Sequence, residues 1–331
     1  MIISRTPFRI SFFGGGTDYP IWYEENGGAV LSTTIDKYCY LSCRHLPPFF
    51  KFKHRVSYST IETVNEISEI EHPAVRAILE YLEIKNGVEI HYNGDLPAKS
   101  GLGSSSTFTV GLLNALYALK SFMPTKRRLA EEAIHIERNV LKEHVGSQDQ
   151  VAAAYGGLNK INFRQDGGFD TEPIILNKNK ENSLQDHLML YFTGFSRFAS
   201  EIAKEQIKET PKKKRELHRL RAMVDEAKKI LASNADIAQL GELLHEGWCL
   251  KRSLTDKISN PQIDDIYETA RSAGALGGKL LGAGGGGFII FFVKPERQAA
   301  VRERLRDFLQ VNFKFEHSGS QIIFHKESEV S

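Results

Sequence analysis

Residues 95–120 read DLPAKSGLGSSSTFTVGLLNALYALK. Phe108, Leu112, Ala115, Leu116 and Leu119 recur at steps of three and four residues, which predicts a helix over 104–121. Ser104, Ser105 and Ser106 mark its start, because serine caps the backbone N–H groups that a first turn leaves without intrahelical partners. Gly101 and Gly103 carry no Cβ, so the chain can turn through positive φ and a ligand can come close to the backbone. A glycine loop leading into a helix N-terminus attracts anions through free N–H groups and the positive end of the helix dipole. A phosphate is the natural guest. Taken alone, the loop reads more readily as a capped strand-to-helix connection with no ligand.

The chain of 331 residues is 41% hydrophobic and 25% charged, the balance of a soluble globular protein long enough for two lobes. A net charge of +2 gives no electrostatic footprint for nucleic acid. Lys212, Lys213, Lys214 and Arg215 form the most basic run, in a stretch rich in both signs that reads as a solvated helix face. Cys39, Cys43 and Cys249 make neither a disulfide framework nor a metal-ligand set, which fits reduced thiols and a cytoplasmic location. The apolar run FIIFFV at 288–293 is too short to span a bilayer, and the first residues lack a signal-peptide core. The expected partners are small molecules, with no nucleic acid and no membrane; a homo-oligomer stays open.

Alternating and apolar runs predict strands at 8–13, 29–43, 50–58, 88–92, 158–163, 188–193, 288–293 and 313–325. Helices are predicted at 73–83, 104–121, 125–139, 147–155, 237–252, 261–272 and 295–309, and over 197–233 with a break at Pro211. The polar stretch LNKNKENSLQDH, 176–187, shows no periodicity and reads as a hinge between lobes at 1–180 and 181–331. The mixture predicts a two-lobed α+β fold.

Three further clusters bear on function. GGKLLGAGGGGFIIFF at 277–292 is not a Walker A loop, since Leu280 follows Lys279 where serine or threonine is required. Nor is it a dinucleotide fingerprint, because its glycines precede a strand instead of opening a helix. Four consecutive glycines read as a turn where backbone passes close to something large, or as a plain hairpin. In RTPFRISFFGGGTDYP at 5–20, a strand carrying Arg9 ends in three glycines before Thr17 and Asp18. An aspartate there suits two adjacent sugar hydroxyls, and equally a turn cap. HIERNVLKEHVGSQDQVAAAYGG at 135–157 puts Glu137 at one helix end and Asp149 in the first turn of the next, where the helix dipole alone accounts for a single acid.

Together the four clusters resemble, in order and wording, the motifs of the GHMP kinases, the family of galactokinase, homoserine kinase, mevalonate kinase and phosphomevalonate kinase. PFRISFFGGGTDY is similar to the first motif, LPAKSGLGSSS to the second, the nucleotide-phosphate loop, and KLLGAGGGGF to the third. The segments TGFSR at 193–197, LKRSL at 250–254 and GALGGKLLGAGGGGF at 274–288 look like the wording of bacterial D-glycero-D-manno-heptose 7-phosphate kinases. The kinase domain of bifunctional fucokinases shares part of it. The resemblance implies an N-terminal lobe like the second domain of ribosomal protein S5, a ferredoxin-like C-terminal lobe, and ATP, Mg²⁺ and a sugar in the cleft between.

On that resemblance, backbone N–H groups of Gly101, Leu102, Gly103, Ser104, Ser105 and Ser106 would cradle the nucleotide phosphates, with Lys99 as an added cation. Ser105 and Glu137 would hold Mg²⁺. Asp149 would be the base for the sugar hydroxyl, and Arg9 would orient it. Asp18 would grip sugar hydroxyls, with Gly16, Thr17, Gly284 and Gly285 beside the sugar. Arg197, Lys251 and Arg252 would take a phosphate already on the substrate. Solvated helix charge is the competing reading for each of these last three.

Three functions fit this pattern. The first is an ATP-dependent anomeric kinase that makes heptose 1,7-bisphosphate for nucleotide-activated heptose. The second is a kinase for an unphosphorylated sugar such as fucose or galactose. The third is a non-catalytic sugar or nucleotide sensor, which the presence of both Glu137 and Asp149 disfavours.

Overall fold

The segment IISRTPFRISFF forms one long strand, β1 (Ile2–Phe13), in the computed structural model, which describes residues 1–98, 100–194 and 199–326. β1 pairs antiparallel with the 18-residue β2 (Gly28–His45). β3 (His54–Ser57), β4 (Ile61–Val64), β5 (Val88–Gly94), β6 (Asn159–Phe163) and β7 (Phe169–Pro173) extend that sheet. The next four strands, β8 (Leu188–Phe192), β9 (Ala275–Leu280), β10 (Phe288–Val293) and β11 (Leu309–Val311), form a second, antiparallel sheet in the order β11-β8-β10-β9. The chain then returns to the first sheet, where β12 (Phe315–Glu316) pairs with β2 and β13 (Gln321–His325) with β1.

The helices in chain order are α1 (Pro20–Asn26), α2 (Pro73–Tyr81), α3 (Ser104–Leu119), α4 (Lys126–His135), α5 (Gln148–Tyr155) and α6 (Lys178–Asp186). They continue with α7 (Ala199–Glu209), α8 (Lys214–Ala232), α9 (Ala238–Arg252), α10 (Pro261–Ser272) and α11 (Gln298–Arg304). Between β8 and β11 the pattern is strand, helices, two strands, helix, strand, and the spatial order is fourth, first, third, second. That is the ferredoxin-like arrangement. The described residues contain no helix long and apolar enough to cross a membrane.

Burial along β2 changes character at Asp36. The stretch GAVLSTTI is buried at every position, because α3 and α8 both pack on this strand, whereas burial beyond Asp36 falls into alternation. α3 is buried at every residue from Ser106 to Tyr117. It lies against β1 and β2, with α2, α4 and α5 beside it, so the stripe seen in the sequence is one side of a helix covered all round.

Several expected elements are corrected. The stretch 176–187 is not a structureless hinge but contains α6, started by the Asn177 side chain accepting from the Lys180 N–H at 2.9 Å and anchored by buried Leu184. One cap and one apolar anchor are too sparse to register as periodicity. The expected strand 50–58 shortens to β3. The helix expected to reach 309 stops at Arg304 and gives way to β11, and 313–325 divides into β12 and β13. The helix after Thr125 widens at its end into a π-turn, Ile136–Val140, which carries Glu137. Such turns recur at functional sites.

Candidate active site

The loop that opens α3 sits where the two lobes meet. Gly103 takes a left-handed conformation at φ 78° as the N-cap, and Gly101, Gly103, Ser104, Ser105 and Ser106 line the cleft. A Cβ on Gly101 would lie 2.4 Å from the Leu281 carbonyl oxygen, and one on Gly282 would lie 2.5 Å from Gly101 Cα. The Phe288 N–H donates to the Ser100 carbonyl at 3.1 Å. The large neighbour that the second glycine cluster passes is therefore the glycine-serine loop that opens α3, backbone against backbone across the lobes.

Arg9, 3% exposed on β1, is the central cation of the cleft. Its Nε donates to Asp149 Oδ1 at 2.8 Å and its Nη2 to Oδ2 at 2.7 Å, a two-pronged grip that fixes the carboxylate plane. Its Nη1 donates to the Gly101 carbonyl at 2.6 Å, tying that carboxylate to the loop that opens α3. Asp149 stands in the first turn of α5 with its side chain 24% exposed, toward the cleft.

Asp18 lies in the loop after β1 and is buried. Its Oδ1 accepts from the Gly16 N–H at 2.9 Å and its Oδ2 from Gln148 Nε2 at 3.0 Å. Burial, and then the nearby Asp149 charge, push its acidity toward higher pH. Lys251 from α9 and Lys279 from β9 line the same cleft. Burial and then the Arg9 charge pull the Lys251 ammonium down to about 8, against the opposing pull of Asp18 and Asp149.

Glu137 is fully buried behind the loop. Its Oε2 accepts from Ser106 Oγ at 2.8 Å and from Gln150 Nε2, and burial pushes the carboxyl up to about 7. Its Oε1 has no hydrogen-bond partner, and the neighbouring Thr109 hydroxyl donates instead to the Ser105 carbonyl at 3.2 Å. A buried carboxylate with one free oxygen favours a nearby cation. No group of three or more His, Cys, Asp or Glu able to hold a metal exists among the described residues. Mg²⁺ suits such a poor set, because it binds through one or two carboxylates plus phosphates and water.

Two family models match the chain, GHMP kinases N terminal domain over residues 68–157 and GHMP kinases C terminal over residues 216–311. The chain belongs to the GHMP kinase family. It is therefore an enzyme, a kinase that uses ATP. This GHMP kinase is 29% identical over 316 residues to the D-glycero-alpha-D-manno-heptose 7-phosphate kinase of Campylobacter jejuni, covering 92% of its own chain and 93% of the relative. It is 23% identical over 334 residues to the bifunctional fucokinase/GDP-fucose pyrophosphorylase of Arabidopsis thaliana, covering 93% of this chain but 31% of that one. A crystal structure of a D-glycero-D-manno-heptose 1-phosphate kinase from Bacteroides thetaiotaomicron superposes with a TM-score of 0.80 at 25% identity, over 99% of this chain and 100% of that one.

The GHMP kinase cleft gathers most, though not all, of the expected residues. Arg9, Gly16, Asp18, Asp149, Lys251 and the Gly101–Ser106 loop surround one space, with the Leu102 side chain turned into the core. The serine that touches Glu137 is Ser106, while Ser105 projects from the same turn as an exposed side chain. Thr17 does not reach the cleft: its hydroxyl donates to the Gly14 and Ala29 carbonyls and receives the Ala29 N–H, so it braces the glycine turn. Arg252 points away to Asp264 at 2.9 Å and over the ring of Trp248, because adjacent helical residues face different sides. Gly284 and Gly285 pack on the backbone of Ile258. Lys99 and Arg197 lie outside the described residues. Sequence reading missed Gln148, which holds Asp18, and Lys279, which was legible only as the lysine that fails a Walker A pattern.

Proposed function

We propose that this GHMP kinase transfers the γ-phosphoryl group of ATP to the anomeric hydroxyl of D-glycero-D-manno-heptose 7-phosphate, giving the 1,7-bisphosphate. The observation that carries the chemistry is the Arg9–Asp149 pair, joined through Gly101 to the phosphate loop. A carboxylate offers about four lone-pair directions, so Asp149 keeps room for a sugar hydroxyl while Arg9 holds both of its oxygens. Asp149 takes the hydroxyl proton, the freed oxygen attacks the γ-phosphorus, and the bond to the ADP oxygen breaks in line. Arg9 fixes the base and faces the charge that develops. Loop N–H groups from Gly101 to Ser106 hold the phosphates at the N-terminus of α3.

Glu137, with Ser105 and Ser106, would hold Mg²⁺, which when bound neutralises phosphate charge. Asp18 accepts hydrogen bonds from sugar hydroxyls, oriented by Gly16 and Gln148. The choice of heptose rests on the likeness to the heptose 7-phosphate kinase over nearly the full length of both chains. The related crystal structure is named for a 1-phosphate kinase, and the fucokinase likeness favours a free sugar as the second reading.

An ATP-consumption screen over free sugars and sugar phosphates, with the product phosphate located by ³¹P NMR, tests the assignment. The expected result is selective turnover of heptose 7-phosphate with a new anomeric phosphate resonance. Equal kcat/KM for heptose with and without its 7-phosphate would favour the free-sugar kinase instead.

A further inference from the structure

Lys251 and Lys279 stand on the C-terminal wall of the cleft, 6% and 7% exposed, yet both line the open space. Their protein partners are all backbone carbonyls. Lys251 Nζ donates to Gly282 at 2.5 Å and to Leu280 at 3.4 Å, and Lys279 Nζ donates to Phe12 at 3.1 Å. Among the described residues neither forms an ion pair, whereas Arg9 is already matched by Asp149. An ammonium carries three N–H donors. Lys251 therefore keeps one donor and Lys279 keeps two. A buried, unpaired ammonium is costly, and lysine ammoniums next to one another raise that cost.

We infer that Lys251 and Lys279 together form a subsite for a phosphoryl group, which supplies the anion this wall of the cleft lacks. Three free N–H donors match the three terminal oxygens of a phosphoryl group better than the two of a carboxylate, and neutral sugar hydroxyls would leave the charge unmatched. The placement fits an incoming ligand. Gly282, which holds Lys251, abuts the phosphate loop at Gly101, while Phe12, which holds Lys279, leads into the glycine turn before Asp18. The pair thus spans from the nucleotide side to the sugar side of the cleft. The phosphoryl group is either the one carried by the sugar substrate or the γ-group of the nucleotide. Burial and the Lys251 and Arg9 charges hold the Lys279 ammonium well below its ordinary range, the condition that a bound anion relieves. The inference rests on the kinase reading above and adds Lys279, which that reading does not use.

The test compares the parent protein with K251M and K279M, which keep the aliphatic stem and remove the charge. Calorimetric titrations with heptose 7-phosphate and heptose, and with Mg²⁺-AMP-PNP and Mg²⁺-ADP, give two affinity ratios, each isolating one phosphoryl group. Loss of the sugar-phosphate ratio by on the order of tenfold to a hundredfold assigns the subsite to the substrate. An equal loss confined to the AMP-PNP-to-ADP ratio assigns it to the γ-phosphate. Both ratios unchanged, or a lowered ligand-free Tm with both ratios intact, would overturn the subsite and leave the lysines as packing residues. A parent protein that binds neither heptose sinks the substrate reading alone; the nucleotide ratio then decides the subsite.

Discussion

Gly146 faces the carboxylate of Asp18 so closely that a Cβ at position 146 would lie 1.9 Å from Oδ2. The glycine leaves the space in which Asp18 holds its orientation, since Gln148 Nε2 reaches that same oxygen. Gly146→Ala should therefore turn Asp18 while leaving the phosphate loop alone. The expected outcome is a rise in KM for the sugar of on the order of tenfold or more, with the KM for ATP within a factor of about two. Steady-state kinetics with each substrate varied in turn checks it, and equal effects on both substrates would count against a sugar role for Asp18.

Asp149→Asn keeps the shape of the carboxylate but cannot take up the hydroxyl proton. A fall in kcat of about 10²–10⁴ is expected, with nucleotide affinity nearly unchanged in a titration. Near-parental turnover in the folded variant would remove Asp149 from the role of base.

The serines of the loop should separate by phenotype. Ser106→Ala withdraws a hydroxyl from Glu137 Oε2 at 2.8 Å and should change the Mg²⁺ dependence of the rate. Ser105→Ala alters an exposed side chain on the same helical turn. Rate measured against Mg²⁺ concentration for both variants distinguishes them; if only Ser105→Ala responds, the metal lies on the solvent side of the turn and Glu137 does not bind it.

Protonation of Lys251 should appear in the pH profile. The groups around it are Arg9 from β1, Asp18 from the following loop, Asp149 from α5 and Lys279 from β9. With the free-enzyme ammonium held to about 8, raising the pH through that value removes the charge that would meet a phosphoryl oxygen. If the subsite serves the sugar, kcat/KM for heptose 7-phosphate should fall above pH about 8. The corresponding limb in kcat should lie at higher pH, because a bound phosphate stabilises the ammonium. K251R should move the limb upward, since guanidinium stays charged. An unchanged limb in K251R would assign it to another group.

The parts of the site that were legible in the sequence are those where local chemistry and function coincide. The serines of α3 open a helix and also line a cleft, and Asp149 is both a first-turn acid and a partner of Arg9. Thr17 and Arg252 were misread because a hydroxyl beside a glycine turn, or a cation beside Lys251, carries no mark of the direction in which it points. Gln148 and Lys279 stayed hidden for a different reason. Their roles arise only when α5 meets the loop after β1, and β9 meets β1, contacts between residues over a hundred positions apart. Asn177 shows the limit for the fold, since a single side-chain cap can start a helix that hydrophobic periodicity does not announce.

The return of β13 to the edge of β1 sets the order in which the polypeptide can assemble. Ile2 pairs with His325, so the β1 edge of the first sheet stays open until the segment after the whole ferredoxin-like lobe has left the ribosome. The ferredoxin-like lobe is continuous from β8 to β11 and needs no later segment for its own sheet. It can close first, while the first lobe waits with an unpaired strand that is exposed to non-native partners. During synthesis, the lobe begun first is the one finished last.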